Sequence, residues 1–591
     1  MIEPSAWTTI GGASSPSFSK DGGTIFHLRG AGLAQVWSMR RDGSASVQLA
    51  SQDEQATKLR RAPGSDQLLW SIDAGGDERH QVWLLDPGGT PRALTSELDA
   101  SHDLGAFSPD GARIAFAVND RDIACFDIVV MDLATGDRRR VFEGAGTRSV
   151  TNWAGTRLAV IEDRSSGDQS LWTIDADSHA AHEVPRRGLA RYAAARFAKD
   201  GPHILALSDQ GGTDFMRLCR IEPGSGEVQP VFEPAGRDVE AWALSPDGSL
   251  LATVENDRGY GVLRVGPLGG EREIVSGLPC GVAGDLAWSP DGTALACSAE
   301  GPADPPGIYL WEAGAVRSLW QPDVQATAGV NPAQLAGFTL VSWPGLDGQD
   351  VPGWLAMPHG EAPAGGFPSV VWVHGGPAAQ SRAKFRPDMQ MLLSQGFAVL
   401  MPNVRGSTGY GRAWMESDDF GKRQVAIDDL ASARHWLAAQ PGINPARIGI
   451  MGQSYGGWMV LAAITRHPEL WRAAVDYYGI ADWFTLLRDT GPWRRPHRAL
   501  EYGVPGQHHD VLRELSPIHG AGAVSAPLLV AHGDRDPRVP MNESEQFVAA
   551  MERHQKRVRY ERFSYAGHGF IRPDHQRRIY VAVAEHFLHY L

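Results

Sequence analysis

The stretch IGIMGQSYGGWMVLAAI, residues 448–464, decides the fold expected for the second half of the chain. An apolar run leads into Gly-x-Ser-x-Gly at residues 452–456, and an alanine-rich helical pattern follows. This strand–turn–helix context is typical of a nucleophile elbow, in which the two glycines leave room for a strained serine backbone. The alternative is a glycine turn with a solvent-facing serine. We therefore take Ser454 as a candidate nucleophile and look for its chemical partners.

The composition is that of an ordinary globular protein. Of its residues, 42% are hydrophobic and 21% are charged. With 591 residues, the chain is too long to fold around a single core. The formal net charge of −14 disfavours nucleic acid or an anionic membrane as a partner. No apolar run is long enough to span a bilayer, and the first residues lack a signal-peptide pattern. We therefore expect a cytoplasmic protein.

The cysteines do not suggest a cofactor. Cys125, Cys219, Cys280 and Cys297 have neither metal-type nor disulfide-framework spacing, so we interpret them as reduced thiols. No H-E-x-x-H motif and no dinucleotide fingerprint stands in a suitable context. No metal and no redox cofactor is expected.

The first half of the chain repeats a turn motif that precedes a strand-like run. Its copies are FSKDG (18–22), FSPDG (107–111), FAKDG (197–201), LSPDG (244–248) and WSPDG (288–292). The spacing fits a period of about 45 residues, typical of a β-propeller blade. Eroded copies stand at 62–72 and 152–162. We predict an all-β, seven-bladed propeller over residues 1–322, in which the turn aspartates have a structural role.

From about residue 325 the pattern alternates between strands and helices. The predicted strands are 338–343, 351–358, 369–375, 397–403, 447–452, 472–479, 527–533 and 558–563. The elbow follows the fifth of these eight strands, which is the order of an α/β-hydrolase domain. We predict such a domain over residues 323–591, with its site at the carboxyl ends of the strands.

A nucleophilic serine needs a base, and the base needs an orienting acid. In this fold the three follow in the order Ser, Asp or Glu, then His. The loop after the seventh strand offers Asp534 and Asp536, and the loop after the eighth offers His568 between two glycines. Place and order favour His568 as the base. Spacing alone leaves Asp534 and Asp536 open.

The tetrahedral oxyanion of acyl transfer needs backbone N–H donors. One donor is expected from Tyr455, the residue after the nucleophile. The other is expected from HGGP at residues 374–377, where Gly376 is the first candidate and Gly375 the second. A plain glycine turn is the alternative for this segment.

The chain resembles the prolyl oligopeptidase family of serine peptidases over essentially its whole length. The resemblance rests on the repeats and on HGGP (374–377), NVRGSTGYG (403–411), GQSYGGWM (452–459), HGDRDPRVP (532–540) and GHGF (567–570). It is strongest to the acylaminoacyl-peptidase and dipeptidyl-aminopeptidase branch. The resemblance implies Ser454, Asp536 and His568 as the catalytic triad.

The resemblance also implies substrate contacts. Arg538 is expected to hydrogen-bond a substrate carbonyl, although it would also fit a surface turn. The acyl pocket is expected after the sixth strand, where Trp483, Phe484 and Trp493 are candidates that core packing explains almost equally well.

Specificity and the N-terminus are the points at which the family pattern is weakest. Many dipeptidyl peptidases carry Asn where this chain has Arg538, which favours the acylaminoacyl or oligopeptidase types. Dipeptidyl specificity needs acidic residues that bind a free amine, and we interpret the available pairs, 77–78 and 162–163, as solvated loops. Many relatives also carry an N-terminal helix before the propeller, whereas here the first repeat begins at Phe18.

We predict a serine peptidase that cleaves short peptides through an acyl-enzyme, of acylaminoacyl-peptidase or oligopeptidase type, with the propeller excluding folded proteins. The alternatives are a dipeptidyl or aminopeptidase, and an amidase or esterase that deacylates a small N-acylated compound. A propeller binding protein with an inactive hydrolase is disfavoured because all three triad positions are filled. The expected partners are short peptides or N-acylated small substrates. Residue preference and homo-oligomerisation stay open.

Overall fold

The computed structural model describes residues 2–199 and 201–591. Met1 and Asp200 lie outside the described residues, and with Asp200 so does part of the turn predicted at 197–201. The chain up to residue 320 is built from antiparallel β-sheets, and the chain from residue 339 contains a mixed sheet flanked by helices. A propeller is therefore followed by a hydrolase domain.

The first twenty strands form five separate four-stranded antiparallel sheets, each made of consecutive strands. These strands are β1 (Gly12–Phe18), β2 (Thr24–Gly30), β3 (Gln35–Arg40), β4 (Val47–Gln48); β5 (Thr57–Arg61), β6 (Leu68–Ile72), β7 (Gln81–Leu85), β8 (Arg92–Ala93); β9 (His102–Phe107), β10 (Arg113–Asp122), β11 (Cys125–Asp132), β12 (Arg138–Phe142); β13 (Thr147–Ala154), β14 (Arg157–Ser165), β15 (Asp168–Asp175), β16 (Ala181–Glu183); β17 (Tyr192–Phe197), β18 (Ile204–Ser208), β19 (Arg217–Ile221) and β20 (Val228–Phe232).

The repeated turns are held by their own side chains. Ser108 Oγ donates a hydrogen bond to Asp110 Oδ1 at 2.5 Å, and the same oxygen accepts the backbone N–H of Ala112 at 3.0 Å. The turns at Ser245–Asp247 and Ser289–Asp291 repeat this pattern. These aspartates close hairpins, as polar turn residues commonly do.

The next eight strands form one sheet, so the prediction of seven separate four-stranded blades is wrong. They are β21 (Asp238–Leu244), β22 (Leu250–Asp257), β23 (Tyr260–Pro267), β24 (Glu273–Ile274), β25 (Val282–Trp288), β26 (Ala294–Gly301), β27 (Asp304–Glu312) and β28 (Ala315–Trp320). Strands β23 and β25 pair in parallel at Gly261 and Val282. Gly261 allows this approach because a Cβ there would lie 2.9 Å from Val282 Cγ1.

The first and last strands of the propeller pack against each other and close the ring. Phe18 and Met39 of the first sheet share an apolar cluster with Ile308 and Leu310 of β27. The backbone N–H of Ser15 also donates to a carboxylate oxygen of Asp285 at 3.0 Å. A closed ring of this kind protects the strand edges of an all-β domain.

The second half contains all eight predicted strands, with ends shifted by a few residues. They are β29 (Thr339–Pro344), β30 (Asp350–Ala356), β31 (Phe367–Val373), β32 (Ala398–Pro402), β33 (Ile443–Gln453), β34 (Ala474–Tyr477), β35 (Leu528–Gly533) and β36 (Val558–Phe563). Their order in the sheet is β29-β30-β32-β31-β33-β34-β35-β36, and all pairs from β32 onward are parallel. The parallel strands therefore present their carboxyl ends at one edge.

Helices cover both faces of this sheet, as a parallel sheet requires. The α-helices are α1 (Val324–Ala328), α2 (Pro387–Ser394), α3 (Arg412–Met415), α4 (Gln424–Ala438), α5 (Tyr455–Arg466), α6 (Trp483–Asp489), α7 (Arg495–Tyr502), α8 (His509–Leu515), α9 (Asn542–Arg553) and α10 (Pro573–Tyr590). Short 3₁₀ helices lie at Pro4–Thr9, Pro332–Gln334, Glu416–Asp418, Phe420–Arg423, Pro492–Arg494 and Pro517–Ala523. In the part of the chain that is described, no helix is long and apolar enough to cross a membrane.

The N-terminal segment packs on the hydrolase domain although it precedes the propeller. Trp7, in the first 3₁₀ helix, is buried in an apolar cluster with Phe587 and Ile579 of α10. The residues before the first propeller strand therefore contact α10 of the hydrolase domain.

Candidate active site

Ser454 lies at a sharp turn between strand β33 and helix α5. Its backbone has φ 58° and ψ −123°, in a region that residues other than glycine rarely adopt. Gly456 lies against the end of the neighbouring strand β31, since a Cβ there would be 2.3 Å from Val373 O. Gly452 approaches Gly456 equally closely, with a Cβ position 2.5 Å from Gly456 O. The two glycines allow the packing that holds the serine in its strained conformation.

Of the two aspartates that spacing left open, the structure brings Asp536 to His568. Asp536 Oδ2 lies 2.6 Å from His568 Nδ1, while Oδ1 accepts the backbone N–H groups of Arg538 at 2.8 Å and Val539 at 3.0 Å. Burial raises the pKa of Asp536, but His568 and His532 outweigh it and hold the pKa well below its usual range. Asp534, in contrast, is exposed and accepts a long hydrogen bond from the backbone of Ala566.

His568 is placed to act through its second ring nitrogen. Nδ1 contacts Asp536, which leaves Nε2 for a reacting group. The ring packs 4.5 Å from the ring of Tyr478, and the preceding residue, Tyr477, accepts the backbone N–H of Ser454 at 2.9 Å. These neighbours bring base and nucleophile to the same corner of the sheet. No hydrogen bond among the described residues joins Ser454 Oγ to the ring, a contact that often tightens only when substrate binds.

The HGGP segment lies beside the nucleophile. A Cβ on Gly375 would be 3.1 Å from the Cβ of Ser454 and 3.7 Å from its Oγ. His374 holds the segment through Ser407 Oγ, 2.9 Å from its Nε2. Within residues 2–199 and 201–591, no acceptor contacts the backbone N–H of Gly376 or Tyr455. Unpaired N–H groups beside a nucleophile are the donors that an oxyanion requires.

Arg538 is tied to the propeller. Its Nε donates to Glu78 Oε1, and Arg494 donates to the other oxygen of the same carboxylate. Glu78 lies in the loop between β6 and β7, and its side chain is only 14% exposed. The interpretation of residues 77–78 as a solvated loop is therefore wrong for Glu78. In the sequence, the glycine pair Gly75 and Gly76 before Glu78 could have indicated that this loop packs closely against another segment.

That glycine pair contacts the loop that carries the base. A Cβ on Gly76 would lie 3.1 Å from Gly567 Cα, and a Cβ on Gly75 would lie 2.9 Å from the ring of Tyr565. Tyr565 also donates a hydrogen bond to Glu54 of the propeller at 2.6 Å. The position of His568 therefore depends on contacts from both domains.

A cavity of about 520 Å³ lies between the propeller and the hydrolase domain at this contact. The propeller contributes Glu78, Asp103 and Asp163 to its wall, and the hydrolase domain contributes Arg494 and Arg538. Asp103 is paired with Lys58. Burial raises the pKa of Asp163, whose carboxylate accepts a hydrogen bond from Gln169 at 2.6 Å. The cavity thus offers charged groups of both signs, and two of its lining residues, Glu78 and Arg538, act electrostatically on His568.

The three aromatic candidates for the acyl pocket lie in different environments. Trp493 lines the cavity. Trp483 is fully buried, with its ring 4.5 Å from that of Tyr502 and its Nε1 bonded to Leu515 O. Phe484 packs 5.0 Å from the ring of His509. The described residues contain no cluster of three or more His, Cys, Asp or Glu side chains that could hold a metal ion.

Part of the chain matches a known family, and known proteins are similar to it. Residues 383–591 match the prolyl oligopeptidase family. Dipeptidyl aminopeptidase BIII of Pseudoxanthomonas mexicana is 28% identical over 589 residues, covering 94% of this chain and 83% of the relative. The human acylamino-acid-releasing enzyme is 28% identical over 222 residues, which cover 36% of this chain and 29% of the relative.

The solved structure of a puromycin-hydrolyzing peptidase from Mycobacterium tuberculosis has a TM-score of 0.87 to this chain. The alignment covers 100% of this chain and 96% of the other, at 22% sequence identity. Similarity at this level of identity establishes the shared fold of a propeller joined to a hydrolase domain.

Replacing the acid tests the assignment of Asp536. Asp536→Asn is expected to lower kcat by about 10⁴-fold, because an amide would favour the wrong tautomer of His568. Asp534→Asn, the matched control in the same loop, is expected to stay near wild type because that side chain is exposed. Steady-state kinetics on a fluorogenic peptide measures both, and equal losses would contradict the assignment.

The pH dependence tests the surroundings of the base. Burial lowers the pKa of His568 below its ordinary value, and Arg538 lowers it further while Asp536 and Glu78 raise it. Because the base must be neutral, the acid limb of kcat/KM is expected below the ordinary histidine pKa of about 6.5. Glu78→Gln removes a negative charge and should move this limb to lower pH. Asp534→Asn is the control, and a limb that moves upward in Glu78→Gln would refute the electrostatic account.

Proposed function

We propose that the protein cleaves short peptides through an acyl-enzyme on Ser454, because residues 383–591 match the prolyl oligopeptidase family of serine peptidases. In this mechanism Ser454 Oγ attacks the scissile carbonyl carbon while His568 Nε2 accepts its proton. Asp536 holds the ring through Nδ1 and stabilises the imidazolium that forms. His568 then gives the proton to the leaving amine, and water hydrolyses the ester by the same steps in reverse.

The negative oxygen of the tetrahedral intermediate is proposed to lie between the backbone N–H groups of Tyr455 and the HGGP segment. Gly376 was the first candidate from the sequence. Gly375 is the residue in van der Waals contact with Ser454, so the donor is proposed to come from this glycine pair. Fixed donors of this kind are worth about 10²–10³ in kcat.

The cavity lined by Glu78 and Arg538 is the observation that carries the proposed substrate class. Its volume of about 520 Å³ lies within the range of about 300–1,000 Å³ of small-ligand sites, so it accepts a few residues of a chain. Arg538, oriented by Glu78, is proposed to donate to a substrate carbonyl. Trp493 provides an apolar wall. A peptide acyl group of acylaminoacyl or oligopeptide type fits such a cavity.

We propose that residues 1–322 form the gating domain and residues 323–591 the catalytic domain. The five four-stranded sheets and the eight-stranded sheet, whose halves are joined through the pair of Gly261 and Val282, are proposed to form one ring. Such a ring over the carboxyl ends of the hydrolase strands would leave narrow entry to Ser454.

A dipeptidyl or aminopeptidase is the second candidate. Asp163 favours it, because among the described residues this cavity carboxylate forms no ion pair, and a substrate amine would supply one. The dipeptidyl aminopeptidase that aligns along most of this chain points the same way. A small-molecule amidase is the weaker alternative, since the puromycin-hydrolyzing neighbour shares the fold alone.

A panel of matched peptides separates these candidates. Fluorogenic peptides with a free or an N-acetylated amine are compared with an internally quenched peptide blocked at both ends. An acylaminoacyl or oligopeptidase enzyme should prefer the blocked substrates, and Asp163→Asn should leave its rates unchanged. Preference for the free amine, with KM raised only for that substrate in Asp163→Asn, would establish the aminopeptidase instead. Asp103→Asn is the matched control, because Asp103 already pairs with Lys58.

Size selection is the second test. The enzyme is expected to cleave peptides of up to a few tens of residues and to act on casein far more slowly, because a long chain must pass the propeller before it reaches Ser454. Casein is the strict substrate since it is flexible and is not excluded by a fold of its own. Fragmentation of casein at the rate of a short peptide, measured by gel and by amine release, would show that the propeller does not gate access.

A further inference from the structure

Arg423 is a buried cation beneath the nucleophile elbow. Its side chain is 1% exposed, and its guanidinium carbon lies 5.2 Å from the ring centroid of Tyr455 and 4.5 Å from that of Tyr502. The two rings are almost parallel, with an interplanar angle of 2° and centroids 6.3 Å apart. Arg423 therefore contacts the side chain of the residue that follows Ser454.

Besides the contact between the guanidinium and the ring, Asp418 links Arg423 to Tyr455, because its carboxylate contacts both side chains. Tyr455 Oη donates to Asp418 Oδ2 at 2.7 Å, and Arg423 Nη1 lies 3.5 Å from the same oxygen. Asp418 is fully buried and rests against Gly406, where a Cβ would lie 2.5 Å from the carboxyl carbon. The carboxylate has no room to move away, so it fixes the phenol of Tyr455.

Tyr502 extends the cluster to the other side of the nucleophile. Its Oη donates to Gly376 O at 3.4 Å and accepts a hydrogen bond from Arg498 Nη1 at 2.8 Å. The cluster of Asp418, Arg423, Tyr455 and Tyr502, here called the arginine cluster, thus touches both segments that carry the proposed oxyanion donors.

Stability alone gives a weak reason for this arrangement. Replacing a buried ion pair by apolar residues of similar volume is often neutral or stabilising. In the part of the chain described, Arg423 Nε and Asp418 Oδ1 have no hydrogen-bond partner, so the pair is incompletely compensated. What the arrangement does provide is a rigid connection between two loops whose N–H groups must be placed within a few tenths of an ångström.

We propose that Arg423 is a positioning residue for the oxyanion hole. Through Asp418 and the two tyrosine rings it holds the backbone N–H of Tyr455 and the HGGP segment in the geometry that stabilises the tetrahedral intermediate. This inference rests on the proposed role of Ser454. Arg423 contacts neither the substrate nor the reacting atoms in this proposal. Its loss is expected to weaken the binding of the transition state.

The test compares Arg423→Met with wild type on a substrate and on two inhibitors. A peptide aldehyde forms a hemiacetal whose oxygen needs the oxyanion donors, whereas the corresponding peptide alcohol has no carbonyl and forms no such oxyanion. Arg423→Met is expected to lower kcat about 10- to 100-fold with KM unchanged, since a misplacement of about 1 Å can cost 10² in rate. The Ki of the aldehyde should rise by the same factor, and the Ki of the alcohol should stay the same.

Arg191→Met is the control for stability. Arg191 is also buried, in the propeller, where its Nε bonds Asp209 Oδ2 at 2.6 Å, and none of its hydrogen bonds to the described residues reaches the elbow. This variant is expected to lower the thermal midpoint and to leave the ratio of the Ki of the aldehyde to the Ki of the alcohol unchanged. An Arg423→Met enzyme that behaves in the same way would overturn the inference and leave Arg423 a structural role.

Tyr455→Phe and Tyr502→Phe keep the inference testable if Arg423→Met does not fold. Each removes one hydroxyl and keeps the ring, and each is expected to raise the aldehyde Ki selectively by a smaller factor. Wild-type values in both would contradict the inference. A burst of p-nitrophenol from an activated ester, absent in Ser454→Ala, first establishes the acyl-enzyme, so failure of the positioning role is distinguishable from failure of the proposed function.

Discussion

The strained backbone of Ser454 is the constraint on which the rest of the site depends. A residue with a Cβ at φ 58° and ψ −123° is held there only by surroundings that permit no alternative. Here Gly452 and Gly456 allow β33, α5 and the end of β31 to approach more closely than any other residue would. The hydrogen bond from Ser454 N to Tyr477 O adds the neighbouring strand. The result is a nucleophile raised on a rigid support.

The base is held differently, by packing between two domains. Its loop meets the propeller at glycines, where a Cβ on Gly567 would lie 1.8 Å from Gly76 O. Arg535 donates to Ala74 O at 3.3 Å on one side of this contact, and Glu78 binds Arg538 on the other. Nucleophile and base therefore depend on separate structural units. The cavity and the proposed triad exist together only when the propeller is packed on the hydrolase domain.

Local patterns were enough to predict the sheet and the elbow, and they also suggested the order of the proposed catalytic residues. Several of the eight strands are short apolar runs, Ser454 directly follows the end of β33, and His568 lies in the loop after β36. The choice between Asp534 and Asp536 needed the fold, because both lie in one loop and only burial separates them. Family resemblance supplied the same choice without geometry.

Contacts between distant segments were beyond what the sequence could predict. Glu78 and Arg538 are 460 positions apart, and a charged loop gives no sign of so remote a partner. The joining of β23 to β25 depends on the absence of a side chain at Gly261, which the repeat pattern also cannot reveal. Arg423 lies in a polar segment typical of a surface, and only the fold buries it under the elbow.

Mass spectrometry of the protein after reaction with a fluorophosphonate tests the central claim most directly. An activated serine in this arrangement should carry a single adduct, on the tryptic peptide that contains Ser454, and His568→Gln should abolish the labelling while the protein stays folded. An active enzyme that carries the adduct on another serine, or labelling of Ser454 that survives the loss of His568, would contradict the account.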